Sequence, residues 1–331
     1  MTSELSALAP HEARALFARM RGRRIMVIGD VMLDEWIWGT VQRISPEAPV
    51  PVVAVTNHSF TLGGAGNVAN NLRALDAQVA FVATIGSDPL AAHVNELLTD
   101  IQIDNSGVFA LTDRPTTRKT RVVAHNQQVV RADWESTAPL PQPDTSRIAA
   151  HIRANLDSVD AVVLSDYAKG LFSRELVEAA LDCALVIADP KPQNLGLFAG
   201  VTCVAPNAHE ASRASGIEIV DDDSLERAGA ALLDLLQCKY VVITRGEHGM
   251  SLFGRSGERF HIPSVARTVF DVSGAGDTVV AVLSLALAAQ APISLAMQLA
   301  NFAAGAVVEK LGTATARADE ILALVEHDSG A

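Results

Sequence analysis

Short apolar runs alternate with longer stretches of helical periodicity along most of this chain. The runs RRIMVIGD (23–30), AVVLSD (161–166), ALVIADP (184–190), VTCVAP (201–206) and YVVITRG (240–246) are nearly continuous in hydrophobic, often β-branched residues. Such runs predict strands buried on both faces of a parallel sheet. Between them, SRELVEAALDCA (173–184) and SLERAGAALLDLLQ (224–237) space their apolar residues as helices do. The alternation predicts a three-layer α/β/α domain. Two regions, 35–62 and 110–135, alternate as hairpins do and predict strands of a small second sheet lying as a lid over one end of the main domain. No linker, repeat or low-complexity tract divides residues 1–331, which read as one domain. In such sheets, sites lie beyond the carboxyl ends of the strands.

Between Asp277 and Glu309 no charged residue occurs, which raises the question of a membrane span. Gln290, Pro292, Gln298, Asn301 and Gly305 interrupt the stretch, and alanine is too weakly hydrophobic to drive insertion. Two buried helices joined near Ala291 and Pro292 are expected instead, with no membrane partner.

The chain has 331 residues, 49% of them hydrophobic, enough for a large core. Its net charge of −12 argues against a nucleic-acid partner without a local basic patch. Arg19, Arg21, Arg23 and Arg24 form one basic cluster, read here as the polar end of a first helix, with nucleic-acid binding as the other reading. Cys183, Cys203 and Cys238 are odd in number and far apart, unlike a disulfide framework or a zinc site. The N-terminal segment MTSELSALAPHEARALF has no apolar core of the secretory kind. A cytoplasmic protein is expected.

The candidate chemistry begins with DVSGAGDTVV (271–280), which opens the uncharged helical stretch. Gly274, Ala275 and Gly276 then sit at a helix amino end, where free N–H groups and the helix dipole attract anions. Asp277 would repel a phosphate held there, but it makes sense as the base for a nucleophilic hydroxyl while the amides hold a transferring phosphoryl group. Alone, the motif also reads as a turn with Asp277 at a favourable helix start.

LGGAGNVANNLRAL (62–75) lacks the sixth-place glycine of a dinucleotide fingerprint, and no GxxxxGK[ST] occurs anywhere. Gly63, Gly64 and Asn67 could instead let a polar ligand reach a helix start, with Asn67 bonding its hydroxyls; a tight packing turn is the other reading. In APNAHE (205–210), Asn207 and Glu210 stand one helical turn apart, which suits magnesium held through water and equally suits a capping box. TRGEHG (244–249) offers Thr244, Gly246 and Gly249 as a phosphate and ribose cradle or a plain hairpin turn.

In combination and order, these motifs resemble the ribokinase, or phosphofructokinase-B, family across nearly the whole chain. GGAGNVAN (63–70) and DVSGAGDT (271–278) match its two signatures, with Val272 and Ser273 where the family usually has two threonines. The resemblance implies a lidded α/β/α sugar kinase using ATP and Mg2+. It implies Asp277 as base and Gly274, Ala275 and Gly276 as anion hole. Asn207 and Glu210 would order the magnesium and phosphate shell. Thr244, Gly246 and Gly249 would hold the nucleotide, with Asn301, Ala304 and Gly305 on the adenine side. Asp34 would bind sugar hydroxyls, and a monovalent cation near Asp271 is left open. The lid would also join a homodimer.

The stretches 29–53, SDYAKGLFS (165–173) and ADPKP (188–192) resemble the branch of the family that phosphorylates a heptose 7-phosphate, which puts Asp166 on the substrate side. A chain ending at Ala331 looks like the free-standing form of that branch, without a fused nucleotidyltransferase. A phosphorylated sugar needs cations, for which Arg114, Arg118, Lys119, Arg121, Arg131, Lys169 and Lys191 are candidates against a reading as solvated charges. The rivals are a kinase of another sugar, a non-catalytic sugar sensor, which the intact GAGD disfavours, and a Rossmann dehydrogenase. The last lacks its glycine motif after the first strand, which ends in Gly29 and Asp30.

Overall fold

The computed structural model describes residues 7–125, 127–266, 268–310 and 312–330. The first six residues of the N-terminal segment read above, and the terminal Ala331, lie outside them. In chain order the elements begin with α1 (Pro10–Met20), β1 (Arg24–Gly29), the long strands β2 (Val31–Ile44) and β3 (Pro51–Gly64), and α2 (Ala65–Ala74). There follow β4 (Gln78–Gly86), α3 (Leu90–Asp100), β5 (Asp104–Leu111), β6 (Arg118–Ala124) and β7 (Gln127–Trp134). Next come α4 (Gln142–Asn155), β8 (Ala161–Ser165), α5 (Arg174–Leu181), β9 (Val186–Asp189), β10 (Cys203–Val204), α6 (Ala208–Ser215) and α7 (Asp222–Leu236). The chain closes with β11 (Tyr240–Thr244), β12 (Met250–Gly254), β13 (Arg259–Ile262), α8 (Ala275–Ala288), α9 (Ile293–Val308) and α10 (Ala318–Asp328).

The main sheet runs β13-β12-β11-β10-β9-β8-β1-β4-β5, parallel from β11 to β5, with β12 and β13 antiparallel at one edge. Its strands are apolar on both faces because each face has its own core. Ile25 and Val27 of β1 pack with α2, α8 and α9, whereas Met26 and Ile28 pack with α4, α5 and α7. The uncharged stretch forms α8 and α9, separated near Ala291 and Pro292 and largely buried in the first of these cores. No helix among the described residues is long and apolar enough to cross a membrane.

The small sheet runs β3-β2-β6-β7, with β2 and β6 parallel. Its strands start earlier than the hairpin pattern suggests: β2 begins at Val31 and β3 reaches Gly64. Residues 110–111 belong to β5 of the main sheet. Because β2 leaves directly after β1 and β3 runs directly into α2, the small sheet springs from the carboxyl edge of the main sheet.

Candidate active site

The parallel strands deliver their polar ends to one edge. Asp30 follows β1, Asp166 follows β8, Asp189 ends β9, and Asn207, just past β10, bridges to Thr244 at the end of β11. The amino ends of α2 and α8 meet at the same edge, where the Ala65 amide donates to the Asp30 carbonyl at 3.0 Å.

Asp277 lies in the first turn of α8 and is only 4% exposed. Its Oδ2 accepts from Asn67 Nδ2 at 2.8 Å and its Oδ1 from the Tyr167 hydroxyl at 2.7 Å. Asn67 is held in turn by Asn71, whose Nδ2 donates to the Asn67 carbonyl at 2.9 Å and whose Oδ1 accepts from Thr278 Oγ1 at 3.0 Å. The two signature motifs are thus one hydrogen-bonded unit between α2 and α8. Burial pushes the Asp277 carboxyl up to about 6, against Asn67, Tyr167 and Lys191, which favour its charge. Such a group is ionised at neutral pH yet able to take a proton.

Gly274 caps α8 at φ +81°, and a Cβ there would press on Asn67 Nδ2 at 2.7 Å, so glycine is required twice over. The Ala275 amide turns to the Val272 carbonyl at 3.3 Å, while a Cβ added at Gly276 would meet open space. The amides of a first helical turn have no intrahelical acceptor and favour an anion.

A cleft of about 720 Å³ opens beside this turn, lined by Asn207, Thr244, Gly246, Gly249, Ala275, Gly276, Asn301, Ala304 and Gly305. TRGEHG is both a hairpin turn between β11 and β12 and a wall of that cleft. Asn301 donates Nδ2 to the Pro263 carbonyl at 2.8 Å, fastening the cleft's rim to α9. Asn207 and Glu210 do form a capping box: Asn207 Oδ1 accepts from the Glu210 amide at 2.9 Å, and Glu210 Oε2 from the Asn207 amide at 3.1 Å. The other Glu210 oxygen accepts from Lys191 Nζ at 2.5 Å. Lys191 also sits 5.0 Å over the Tyr167 ring. Burial opposes its charge, but Asp189 and Glu210 outweigh that and raise its pKa. Burial carries Asp189 up to about 7, with Lys191 opposing and Glu210 and Asp277 adding to the rise.

On the other side of Asp277, Asp34 of β2 accepts from Arg121 at 2.5 Å, and a Cβ at Gly63 would collide with the Asp34 carboxylate. At Gly64, which caps α2 at φ +59°, a Cβ would strike the Asp30 carbonyl. Trp36 stands opposite Arg121, and Arg121 opposite Arg131, so Asp34, Trp36, Arg121 and Arg131 share one face of the small sheet. Between Trp36, Trp38, Ser59 and Thr61 on that face and Asp271 and Gly312 across from it lies a pocket of about 400 Å³. Asp271 ties that far wall together, accepting from the Ser273 amide at 2.9 Å and the Gly312 amide at 3.0 Å.

The predicted cations are scattered. Arg121 pairs with Asp34, Lys191 with Glu210, and Lys169 with Glu135 at 2.7 Å. Arg131 is half-exposed and grips its own strand's Asp133 at 2.9 and 3.1 Å. Asp166, expected on the substrate side, is placed in the protein's interior. It is fully buried, and its oxygens accept from the Ala168 and Lys191 amides and from Asn194. Likewise Asn67, expected to bond a ligand's hydroxyls, is fully buried and gives its amide to Asp277. Tyr167, Asp30 and Asp189 lie within the stretches 165–173, 29–53 and 188–192 but were assigned no role; for the two acids the signal available was a buried strand ending in an acid.

A buried carboxylate in the first turn of a glycine-capped helix, with a large cleft opening beside it, is the arrangement expected of a ribokinase-type sugar kinase. The description "pfkB family carbohydrate kinase" matches residues 23–320, and the chain belongs to that family. It is 46% identical over 308 residues to the bifunctional protein HldE of Desulfatibacillum aliphaticivorans, covering 92% of this chain and 63% of that one. Against the bifunctional protein HldE of Geobacter sulfurreducens it is 44% identical over 321 residues, covering 96% and 66%. The chain thus spans a little under two thirds of the length of these relatives. Its fold matches Arabidopsis thaliana ribokinase complexed with ribose and ATP, with TM-score 0.74 at 19% identity, covering 92% of this chain and 99% of that one. It also matches phosphofructokinase-2 of Escherichia coli in complex with fructose-6-phosphate, with TM-score 0.77 at 18% identity, covering 93% and 99%.

Proposed function

We propose that this chain transfers the γ-phosphoryl group of ATP to the anomeric hydroxyl of D-glycero-β-D-manno-heptose 7-phosphate, giving the 1,7-bisphosphate and ADP. The reaction would serve ADP-heptose and lipopolysaccharide inner-core synthesis in the cytoplasm. The observation that carries the kinase chemistry is the Asp277 carboxylate, held at both oxygens beside the amino end of α8 and the large cleft. The heptose reading rests on the resemblance of residues 29–53, 165–173 and 188–192 and on the likeness to relatives named HldE.

In this reading ATP lies in the 720 Å³ cleft with its γ-phosphate at Gly274, Ala275 and Gly276. The sugar lies against Asp34 and Gly63, and its hydroxyl gives its proton to Asp277 as the bond to phosphorus forms. Magnesium would neutralise the phosphate charge. Glu210 and Asp189 supply hard oxygen donors of the right kind, and among the described residues no cluster of three metal-binding side chains forms a closed cage. That fits an ion held through water and substrate phosphates. The small sheet would also join two copies: Val130 and Trp134, 51% and 45% exposed, stand on the face turned away from Asp34.

A panel of sugars and sugar phosphates, followed by ADP release, tests the reading. The heptose 7-phosphate is expected to give the highest kcat/KM, and a clear preference for fructose 6-phosphate or ribose would overturn it. Glu210→Gln keeps the cap but loses the charge, and is expected to raise the magnesium needed for half-maximal rate about tenfold. Its kcat should fall and the sugar KM hold. A magnesium dependence equal to the parent's would reduce Glu210 to a cap. Activity in kcat/KM should be full above the Asp277 pKa of about 6 and fall as pH drops through it, because only the carboxylate accepts the proton.

A further inference from the structure

Tyr167 lies outside the two glycine signatures and was given no role of its own, yet its hydroxyl is one of two side-chain donors on the proposed base. The loop that presents it is built with unusual care. Asp30 Oδ2 accepts from the Tyr167 amide at 2.9 Å and from the Lys169 amide at 3.1 Å. Asp166 Oδ1 accepts from the Ala168 amide at 2.7 Å, and Ala168 adopts φ +55°, a left-handed conformation that a non-glycine residue holds only when its surroundings enforce it. Both acids are buried, 4% and 0% exposed, and both stand at the ends of neighbouring strands of the main sheet. Both acids thus hold the turn that carries Tyr167, and Asp166 also ties it to the Lys191 loop through the Lys191 amide and Asn194. Lys191 covers the ring at 5.0 Å.

We propose that Tyr167 is a positioning residue for phosphoryl transfer, its hydroxyl fixing the Asp277 carboxylate in orientation and in the charged state. The geometry supports this directly. Asn67 on α2 and Tyr167 after β8 hold opposite oxygens of one carboxylate from separate elements, which locks rotation about its terminal bond. Each oxygen has accepted one hydrogen bond and keeps a lone pair for an incoming hydroxyl. A phenol that donates to a carboxylate favours its ionised form, offsetting the burial that raises this carboxyl. Burial, with the charges of Asp277 and Asp189, in turn keeps the phenol protonated and so permanently a donor. The other charges bearing on Asp277 are Lys191 after β9, Asp34 on β2 and Asp189 at the end of β9. None of them changes when the phenol is removed.

The inference rests on the proposed role of Asp277 as base, and the test separates the two. Tyr167→Phe keeps the ring under Lys191 and removes only the hydroxyl. It is expected to lower kcat about tenfold with the KM for MgATP unchanged, and to move the acid limb of kcat/KM about one pH unit upward. The carboxyl carbon of Asp277, followed by NMR in carbon-13 aspartate-labelled protein and assigned with Asp277→Asn, should show the same upward shift with no substrate present. That measurement holds whatever the sugar is. An unmoved Asp277 titration with parental kcat would reduce Tyr167 to a packing residue. A moved titration with unchanged kcat would refute the positioning role, and if Asp277→Asn also kept full activity, the fault would lie with Asp277 as base.

Discussion

Asp277→Asn is expected to fold, bind both substrates and lose about 10²–10⁴-fold in kcat. Asparagine has the shape of aspartate, so the first turn of α8 and its packing on α2 should survive. Tyr167 still finds an oxygen to donate to, whereas Asn67 Nδ2 would face a second NH2 group or force the new amide to flip. The charge removed is a buried one whose desolvation works against it, so stability should change little. What disappears, in the proposed mechanism, is the acceptor for the sugar's proton at the helix amino end. In a loose phosphoryl-transfer transition state much of the loss is positional, which is why the range is wide. A melting temperature and ATP affinity close to the parent's, with kcat reduced at least a hundredfold, would bear this out. A folded variant with near-parental kcat would remove Asp277 from the mechanism.

The second large effect concerns the sugar's own phosphate. If the substrate is a heptose 7-phosphate, removing that phosphate deletes several charge-assisted hydrogen bonds, each about 1.5–3 kcal/mol. The free heptose should therefore fall by at least about 100-fold in kcat/KM. The cations can be ranked by their surroundings. Lys169 and Arg121 are partly buried and each has one carboxylate partner that a ligand phosphate could replace, Glu135 and Asp34. Arg131 is half-exposed and already held bidentately by Asp133. Lys169→Met and Arg121→Met should each weaken the phosphorylated sugar about tenfold or more while hardly changing the free sugar, and Arg131→Met should do least. Equal losses on both sugars would place these cations outside phosphate recognition.

Much of the frame could be read from the pattern of residues. Every continuous apolar run at 23–30, 161–166, 184–190, 201–206 and 240–246 holds a strand of the main sheet, because burial on both faces leaves no room for alternation. The strands β5 and β13 at the sheet's two edges carry no such run. β5 contains Gly107 and exposed polar residues, and β13 is only partly covered. The glycine and acid motifs pointed to the right edge of the sheet, since helix amino ends announce themselves by their caps. What periodicity could not convey was which polar groups face each other across long sequence separations. Asn67 and Asp277 are 210 residues apart, and Tyr167 and Asp277 are 110 apart. Nor could it tell what each acid holds, since Asp30, Asp166 and Asp189 all end buried strands and only the hydrogen bonds show that Asp30 and Asp166 shape loops.

The most direct test of the whole account is phosphorus-31 NMR of the product formed from ATP, Mg2+ and D-glycero-β-D-manno-heptose 7-phosphate by the purified chain. ADP is expected together with a sugar carrying two phosphates, the new one coupled to the anomeric proton, and no such product from Asp277→Asn. A new phosphate on any other hydroxyl, or ATP consumed with the sugar left unchanged, would contradict it.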